Sequence, residues 1–136
     1  MIVNSFPLRG PGFSSSGLNL NSRRFSDFRS AVPGAWRSSP ATANGLGAIR
    51  ACREGFKIGP LYAEDERTAD VLFLQLAAYA EGANVYLDVP EPNKAARRLV
   101  KRYEMKPVFE SARMYTGAAP SIPLARLYGV TTFELG

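Results

Sequence analysis

The clearest pattern of apolar and polar positions begins near residue 45 and predicts two short extended segments. Residues 46–52 and 55–62 are largely apolar, and Glu54 and Gly55 between them predict a turn. Gly59 and Pro60 interrupt the second segment, and proline cannot donate a hydrogen bond to a sheet ladder. The sequence therefore predicts two strands, the second of which is either bulged or lies at the edge of a sheet.

Two helices with different surfaces are predicted next. The first follows acidic residues at positions 64–66, which suit the positive end of a helix, and Gly82 gives it a natural end. Its apolar residues recur at helical spacing and indicate burial: Ala69, Leu72, Phe73, Leu76 and Ala80. The second helix is capped by Asn93, stopped by Pro107 and strongly basic on its outer face. Its apolar stripe consists of Ala96, Leu99, Val100 and Tyr103.

Three further segments have the composition of strands. Residues 85–89 alternate between apolar and polar and end at a proline, and residues 108–115 and 128–136 are rich in aromatic and β-branched side chains. From residue 45 the predicted order is therefore β-β-α-β-α-β-β. Strands that alternate with helices indicate an α/β fold, with helices covering a mixed sheet.

Residues 1–44 show no such period and are predicted to form a disordered leader. They contain three consecutive serines at 14–16, scattered glycine and proline, five arginines and one acidic residue. Too little apolar surface recurs on one face to offset the entropy of ordering the chain. Two interpretations are open: an organelle transit peptide, or a low-complexity leader or gene-model artefact with no role.

Charge and composition exclude several classes of function. The formal net charge is +5, but residues 1–44 supply 5 − 1 = +4 of it, so residues 45–136 carry only 5 − 4 = +1. We therefore expect no nucleic-acid binding by the folded part. The absence of histidine argues against histidine catalysis and most zinc sites, and no metal site is predicted. No apolar run is long enough for a membrane span, so a cytoplasmic protein is expected, or an organellar one if the leader is a transit peptide.

Four phrases in order carry a resemblance to a known family: GFKIGPLYAED, VYLDVPEPNKAARRL, MKPVFESARMY and GVTTFELG. Residues 45–136 resemble the C-terminal GNAT-like domain of tandem-GNAT proteins, within the GNAT-type N-acetyltransferase superfamily. The resemblance implies a partial GNAT-like fold and acetyl transfer from acetyl-CoA to an amine on a small molecule or peptide. It further implies a partner, either a missing N-terminal GNAT domain or a second copy of the chain.

The resemblance also implies site residues. In this superfamily the pantetheine arm of acetyl-CoA lies where the strand at 55–62 splays from the strand at 85–89. The implied cofactor contacts are Phe56, Ile58, Gly59, Leu61 and Asn93. Asp88 and Glu91, at the end of the next strand, are the implied catalytic or substrate-binding residues, with a surface turn carrying two acids as the alternative interpretation.

Three departures from the family pattern weaken the catalytic interpretation. A complete GNAT domain has further strands and two helices ahead of residue 46, where this sequence shows only the irregular leader. The Gly-rich loop expected to hold the diphosphate is replaced by residues 62–67, which contain three carboxylates and no glycine. Val100 stands where the family often places a tyrosine that protonates the departing thiolate. We therefore expect little or no turnover from this chain alone, and the alternative is a non-catalytic GNAT-like module for interaction or dimerisation that has lost cofactor binding.

Overall fold

The computed structural model describes residues 1–8, 37–38 and 44–131, which form a mixed sheet with helices packed on it. In chain order the elements are β1 (Ile2–Leu8), β2 (Arg37–Ser38), β3 (Gly45–Ala51), β4 (Phe56–Ala63), α1 (Glu66–Ala78), β5 (Val85–Pro90), α2 (Lys94–Arg102), β6 (Phe109–Ala112), a 3-10 turn (Leu124–Arg126) and β7 (Leu127–Gly129).

The predicted α/β class and the order β-β-α-β-α-β-β are confirmed from residue 45 onward. Helix α1 begins where predicted, because the Asp65 side chain accepts a hydrogen bond from the Thr68 backbone N–H at 2.8 Å and caps the helix. The main difference lies at the end of the chain. The strand predicted at 128–136 appears as Leu127–Gly129, and residues 132–136 lie outside the described residues.

The prediction that residues 1–44 form a disordered leader is wrong for two segments within them. Ile2–Leu8 is a strand that pairs antiparallel with β5 on one side and with β6 on the other, and Arg37–Ser38 pairs with β3. Pairing on both sides satisfies the backbone of β1, and the buried Ser5 hides the alternation that would have signalled it. Residues 9–36 and 39–43 lie outside the described part of the chain.

The strand order among the described residues is β2-β3-β4-β5-β1-β6, with β7 paired to β4. Strand β4 therefore lies inside the sheet. Of the two predicted alternatives, an irregular strand is the one observed, and an edge strand is not. It runs parallel to β5 only at residues 56–58 and then pairs antiparallel with β7 at Leu61 and Tyr62. Pro60 falls between these two sets of pairs, where its missing N–H removes no ladder hydrogen bond.

The core lies between this sheet and the two helices. Helix α1 packs on β3 and β4, α2 packs on β5 and β7, and the helices contact each other. Leu72 and Phe73 of α1, Leu99 of α2, and Ile58 and Leu61 of β4 are almost completely buried in this layer. The amphipathic stripes predicted for both helices thus face the sheet.

A set of surface ion pairs joins the two helices. Glu66 accepts from Arg98 at 2.7 Å and from Arg102 at 3.1 Å, and Arg102 also lies 3.0 Å from Asp70. The Tyr103 hydroxyl donates to Asp70 at 2.6 Å, while its ring packs against Phe73. Exposed pairs of this kind contribute little individually, so burial of apolar side chains holds the helices on the sheet.

The burial pattern of α1 predicts a large difference between two neighbouring truncations. Leu72→Ala should lower the free energy of unfolding by about 2–5 kcal/mol, because Leu72 is 1% exposed and leaves a cavity. Val71→Ala is the control and should change it by less than about 0.5 kcal/mol, because Val71 is 44% exposed. Urea denaturation measures both, and a similar loss in the two variants would contradict this placement of α1.

Candidate functional site

The feature that organises the candidate site is a split between β4 and β5. The two strands pair in parallel up to Ile58 and Leu87 and then separate. We call the gap beyond these two residues the split, and residues 124–131 the strap. The strap enters the split: Leu127 and Gly129 pair with Tyr62 and Leu61 of β4, and the Val130 N–H donates to the Asp88 carbonyl of β5 at 2.9 Å.

The four β4 residues predicted to bind cofactor lie along this split or at its base. Ile58 and Leu61 are completely buried in the core, so their side chains face the helices' layer rather than an open site. Phe56 packs edge-on against the Tyr79 ring, with 5.7 Å between the centroids. Gly59 lies directly against the strap, because a Cβ placed there would come 2.2 Å from the Val130 carbonyl oxygen.

Asn93, the fifth predicted cofactor contact, binds the chain itself. Its side-chain oxygen accepts from the backbone N–H groups of Ala95 and Ala96 at 3.0 and 3.1 Å, which confirms the predicted cap of α2. Its side-chain nitrogen donates to the carbonyls of Leu127 at 2.9 Å and Ala125 at 3.2 Å. Asn93 thus fastens the strap to the start of α2.

Beside the split, polar side chains from four strands come together across the sheet. Arg50 of β3 is in register with Lys57 of β4, and Ser5 of β1 is in register with Asp88 of β5. The Lys57 ammonium pairs with the Asp88 carboxylate, which is completely buried. We call Ser5, Arg50, Lys57 and Asp88 the polar row.

The two predicted catalytic residues have different surroundings. Burial raises the pKa of Asp88, and the Lys57 ammonium and the Ser5 hydroxyl offset that effect only in part. Glu91 lies exposed in the turn after β5, where its backbone N–H donates to the Ile2 carbonyl at 2.8 Å. The structure therefore brings Asp88 together with Lys57 and leaves Glu91 at the surface.

Sequence reasoning missed Lys57, Ser5, Arg50 and the strap. A signal for Lys57 existed, because it is the only charged residue in β4 and Asp88 is the only charged residue in β5. Two lone opposite charges on strands expected to be neighbours indicate a buried ion pair. The strap had no comparable signal, because its place in the split depends on contacts with residues distant in sequence.

The N-terminus of α1 carries the chain's own negative charges. The hydrogen bond from the Thr68 backbone lowers the pKa of Asp65, and the bond from Arg98 lowers the pKa of Glu66. Glu64 pairs with Arg126 of the strap at 2.9 Å. The backbone N–H groups that could hold an anionic ligand at this helix end are thus served partly by Asp65.

Neither Val100, at the family position, nor Tyr103, one turn later, lies at the split. Val100 is buried in the core, and Tyr103 is engaged with Asp70 between the helices. Burial, with the Asp70 hydrogen bond, raises the pKa of Tyr103 well above its usual value. Tyr103 is therefore a packing residue of the helix layer.

Comparison with known proteins identifies this architecture. A family model described as an acetyltransferase (GNAT) domain matches residues 25–129, which is more than half of the chain. The chain belongs to the GNAT acetyltransferase family. The match begins 20 residues ahead of the boundary predicted at residue 45, so part of the expected leader falls within the GNAT domain.

Two relatives give the scale of the similarity. The chain is 30% identical over 93 residues to holothin acyltransferase of Pseudoalteromonas sp. (strain SANK 73390), across 68% of the chain and 32% of that enzyme. It also resembles the crystal structure of a protein assigned as an acetyltransferase from Pyrococcus horikoshii, with a TM-score of 0.67 and 22% identity over 96% of the chain and 50% of that protein. The GNAT domain described here thus spans about a third of the first relative and half of the second.

GNAT acetyltransferases generally use acetyl-CoA, and the residues present do not fit this group as the chain is folded. The split holds the strap at hydrogen-bonding distance from both β4 and β5. The N-terminus of α1 is capped by an aspartate and flanked by two glutamates, which repel a diphosphate. The strap therefore occupies one end of the expected cofactor site, and acidic side chains of residues 64–66 occupy the other.

Metal binding and membrane spanning find no support in the described ranges 1–8, 37–38 and 44–131. Within them, no three His, Cys, Asp or Glu side chains are grouped so that they could hold a metal ion. Of the helices in these ranges, neither is both long and apolar enough to cross a membrane. The polar row and the split are the candidate functional features of the described residues.

The buried ion pair predicts unequal losses when either partner is removed. Lys57→Met should destabilise the fold by about 3–5 kcal/mol at neutral pH, because it leaves a fully buried carboxylate without its cation. Asp88→Asn should have a smaller effect, because Lys57 retains 15% exposure and reaches water. Denaturant unfolding compares them, with Lys106→Met as an exposed control, and a larger loss for Asp88→Asn would contradict this assignment.

The raised pKa of Asp88 predicts the sign of a pH effect on stability. The folded chain holds this proton more tightly than the unfolded chain, whose aspartate titrates near 3.8. The Asp88 contribution is therefore fully present below pH 3.8 and is lost as the pH rises through the folded-state pKa. The difference in unfolding free energy between wild type and Asp88→Asn should fall with rising pH, and a difference that grows instead would show that the Lys57 pairing outweighs burial.

Proposed function

We propose that this GNAT domain serves acyl transfer from acetyl-CoA to an amine in the intact protein. The observation that carries the proposal is the buried Asp88–Lys57 pair beside the parting strands β4 and β5, in a chain of the GNAT family. Similarity to an enzyme named holothin acyltransferase supports the reaction class. The acceptor class, a small-molecule or peptide amine, follows from the family resemblance.

The acidic residues near the split suit an amine acceptor. An alkyl amine is cationic at neutral pH and must lose a proton before its nitrogen lone pair can attack a carbonyl carbon. Glu91 is an exposed carboxylate that can attract the ammonium form at the surface. Asp88 has a raised pKa, which brings its basicity closer to neutrality, but it is completely buried beside Lys57, so an amine would have to enter the split before Asp88 could accept its proton.

We further propose that the domain works beside a second GNAT domain, as the C-terminal part of a tandem protein. Beyond Phe109–Ala112 the sheet has no further paired strand among the described residues, and large apolar side chains are exposed near this end. Val108 is 60% exposed, Phe109 58% and Met114 86%. Such a patch favours a protein neighbour, and a second copy of the chain would serve equally. The proposed setting is the cytoplasm.

A second candidate function is a non-catalytic interaction module with the same fold. The filled split, the acidic start of α1 and Val100 favour it, because each removes a feature used to hold or process acetyl-CoA. This candidate predicts self-association through the exposed patch and no loss of thioester. Sedimentation analysis of the wild type and of Met114→Glu tests the association.

The catalytic proposal predicts slow, Asp88-dependent loss of acetyl-CoA thioester absorbance in the presence of amines such as spermidine or a short peptide with a free N-terminus. Direct thioester absorbance is preferable to a thiol reagent, because Cys52 is exposed and would react. Asp88→Asn should slow the reaction by about 10²-fold or more, and Glu91→Gln should raise KM for the amine. Glu110→Gln, on β6, is the control and should leave both unchanged.

Three results of the thioester assay distinguish whether the chain is catalytic and whether Asp88 takes part. If folded wild type and folded Gly129→Val, in which a clash with Leu87 should open the split, both lose thioester only at the protein-free rate with every amine, this chain does not carry out acyl transfer. Equal rates for wild type and Asp88→Asn would keep the reaction and remove Asp88 from it. A bell-shaped pH profile whose acidic limb disappears in Asp88→Asn would support the assigned role.

A further inference from the structure

We infer that the strap closes the split as an intramolecular occupant, so that a ligand reaches the parted strands only when the strap is displaced. The inference concerns residues 124–131 and rests on the proposed function for the identity of the ligand. Its structural basis is independent of that function. The strap forms backbone hydrogen bonds with both strands, packs closely against them, and is fastened at each end by polar contacts.

The backbone of the strap satisfies groups that the parting strands would leave unpaired. Strand β4 loses β5 as a partner after Ile58 and regains one at Leu61 and Tyr62 through β7. On the other side, the Asp88 carbonyl of β5 accepts from Val130 at 2.9 Å. Buried backbone groups require such partners, so an extended ligand with amide groups could enter only by replacing the strap's hydrogen bonds.

The strap packs closely against both strands. Tyr128 is 2% exposed and Leu127 8% exposed. At Gly129 an added Cβ would lie 2.6 Å from the Leu87 side chain and 3.2 Å from the Leu61 Cβ. Because Gly59 and Gly129 allow the strap to approach so closely, a ligand and the strap cannot occupy the split together.

Polar contacts fasten the strap at its two ends. Asn93 holds the carbonyls of Ala125 and Leu127, and an Arg50 guanidinium nitrogen donates to the Thr131 carbonyl at 3.2 Å. Arg126 pairs with Glu64 at the start of α1. Asn93, one of the cofactor contacts that the family resemblance implies, thus binds the strap instead.

The strap nevertheless has features of a segment that can detach from the sheet by local opening. Its strand contains three residues, against eight in β4, and the chain leading into it at residues 116–123 is exposed. Its ion pair with Glu64 is at the surface, where such pairs contribute little. Segments of this kind open locally at lower free energy than central strands.

A closed split lowers apparent affinity in a calculable way. If only a fraction of molecules has the strap displaced, the apparent dissociation constant of a ligand is its intrinsic value divided by that fraction. A variant that favours the displaced state should therefore bind the ligand more tightly than wild type. The gain equals the ratio of the two open fractions.

The test combines amide hydrogen exchange with calorimetric titration of coenzyme A into the full chain. Gly129→Val should clash with Leu87 and expel the strap, and Val130→Pro should remove the donor to the Asp88 carbonyl, which gives a second, milder route to opening. Gly117→Val is the matched control, because nothing lies within 4 Å of a Cβ at Gly117.

In the wild type and in Gly117→Val, the amides of residues 127–130 should be protected and coenzyme A should bind weakly or undetectably. In the opened variants these amides should exchange at least about 10-fold faster while the β4 and β5 amides stay protected. Coenzyme A should then bind at least about 10-fold more tightly than to wild type. This combination supports both the strap and the proposed cofactor.

The remaining outcomes separate the two ideas. Protected strap amides in wild type, with no coenzyme A binding even in a folded, opened variant, would sustain the closure and remove the proposed cofactor. If coenzyme A binds tightly to wild type while the strap amides stay protected, the inference that the strap closes the split is wrong, and the proposed function is unaffected. Unprotected strap amides in wild type, or loss of β4 and β5 protection in both opened variants, would overturn the inference of a displaceable strap.

Discussion

The separation of β4 from β5 beyond Ile58 and Leu87 is the constraint on which the rest of this structure depends. Two parallel strands that part inside a sheet leave backbone donors and acceptors without partners, and buried groups of this kind must be satisfied. In this chain the partner is β7, held between them by pairing with β4 and by Val130. The position of the strap, the tasks of Asn93 and the close contact at Gly59 all follow from this one requirement.

The charged groups near the split are likewise paired with other groups of the same chain. The N-terminus of α1 attracts negative charge, and the chain supplies it from Asp65. The buried Asp88 carboxylate requires a cation, and β4 supplies Lys57. A GNAT domain would be expected to leave both the helix end and the split available to acetyl-CoA. Here the strap occupies the split and Asp65 caps the helix end. The chain therefore belongs to a family that uses acetyl-CoA, although the residues at these two places do not fit it as folded.

The chain covers only part of the length of the relatives that it matches. The chain spans about a third of holothin acyltransferase and half of the Pyrococcus horikoshii structure. An exposed apolar patch at Val108, Phe109 and Met114 lies near the β6 end of the sheet. This patch is the observation that supports the proposed protein neighbour.

The sequence by itself determined the helices, most strands and their order from residue 45, because hydrophobic periodicity, Asn93, Asp65 and the prolines act locally on the backbone. Asp88 and Glu91 entered only as site residues implied by the family resemblance. Only the tertiary structure decided that Ile2–Leu8 pairs between β5 and β6, that Lys57 meets Asp88, and that Asn93 holds residues 125 and 127. These features join residues far apart in the chain, and their stability comes from pairing and burial that no local pattern records.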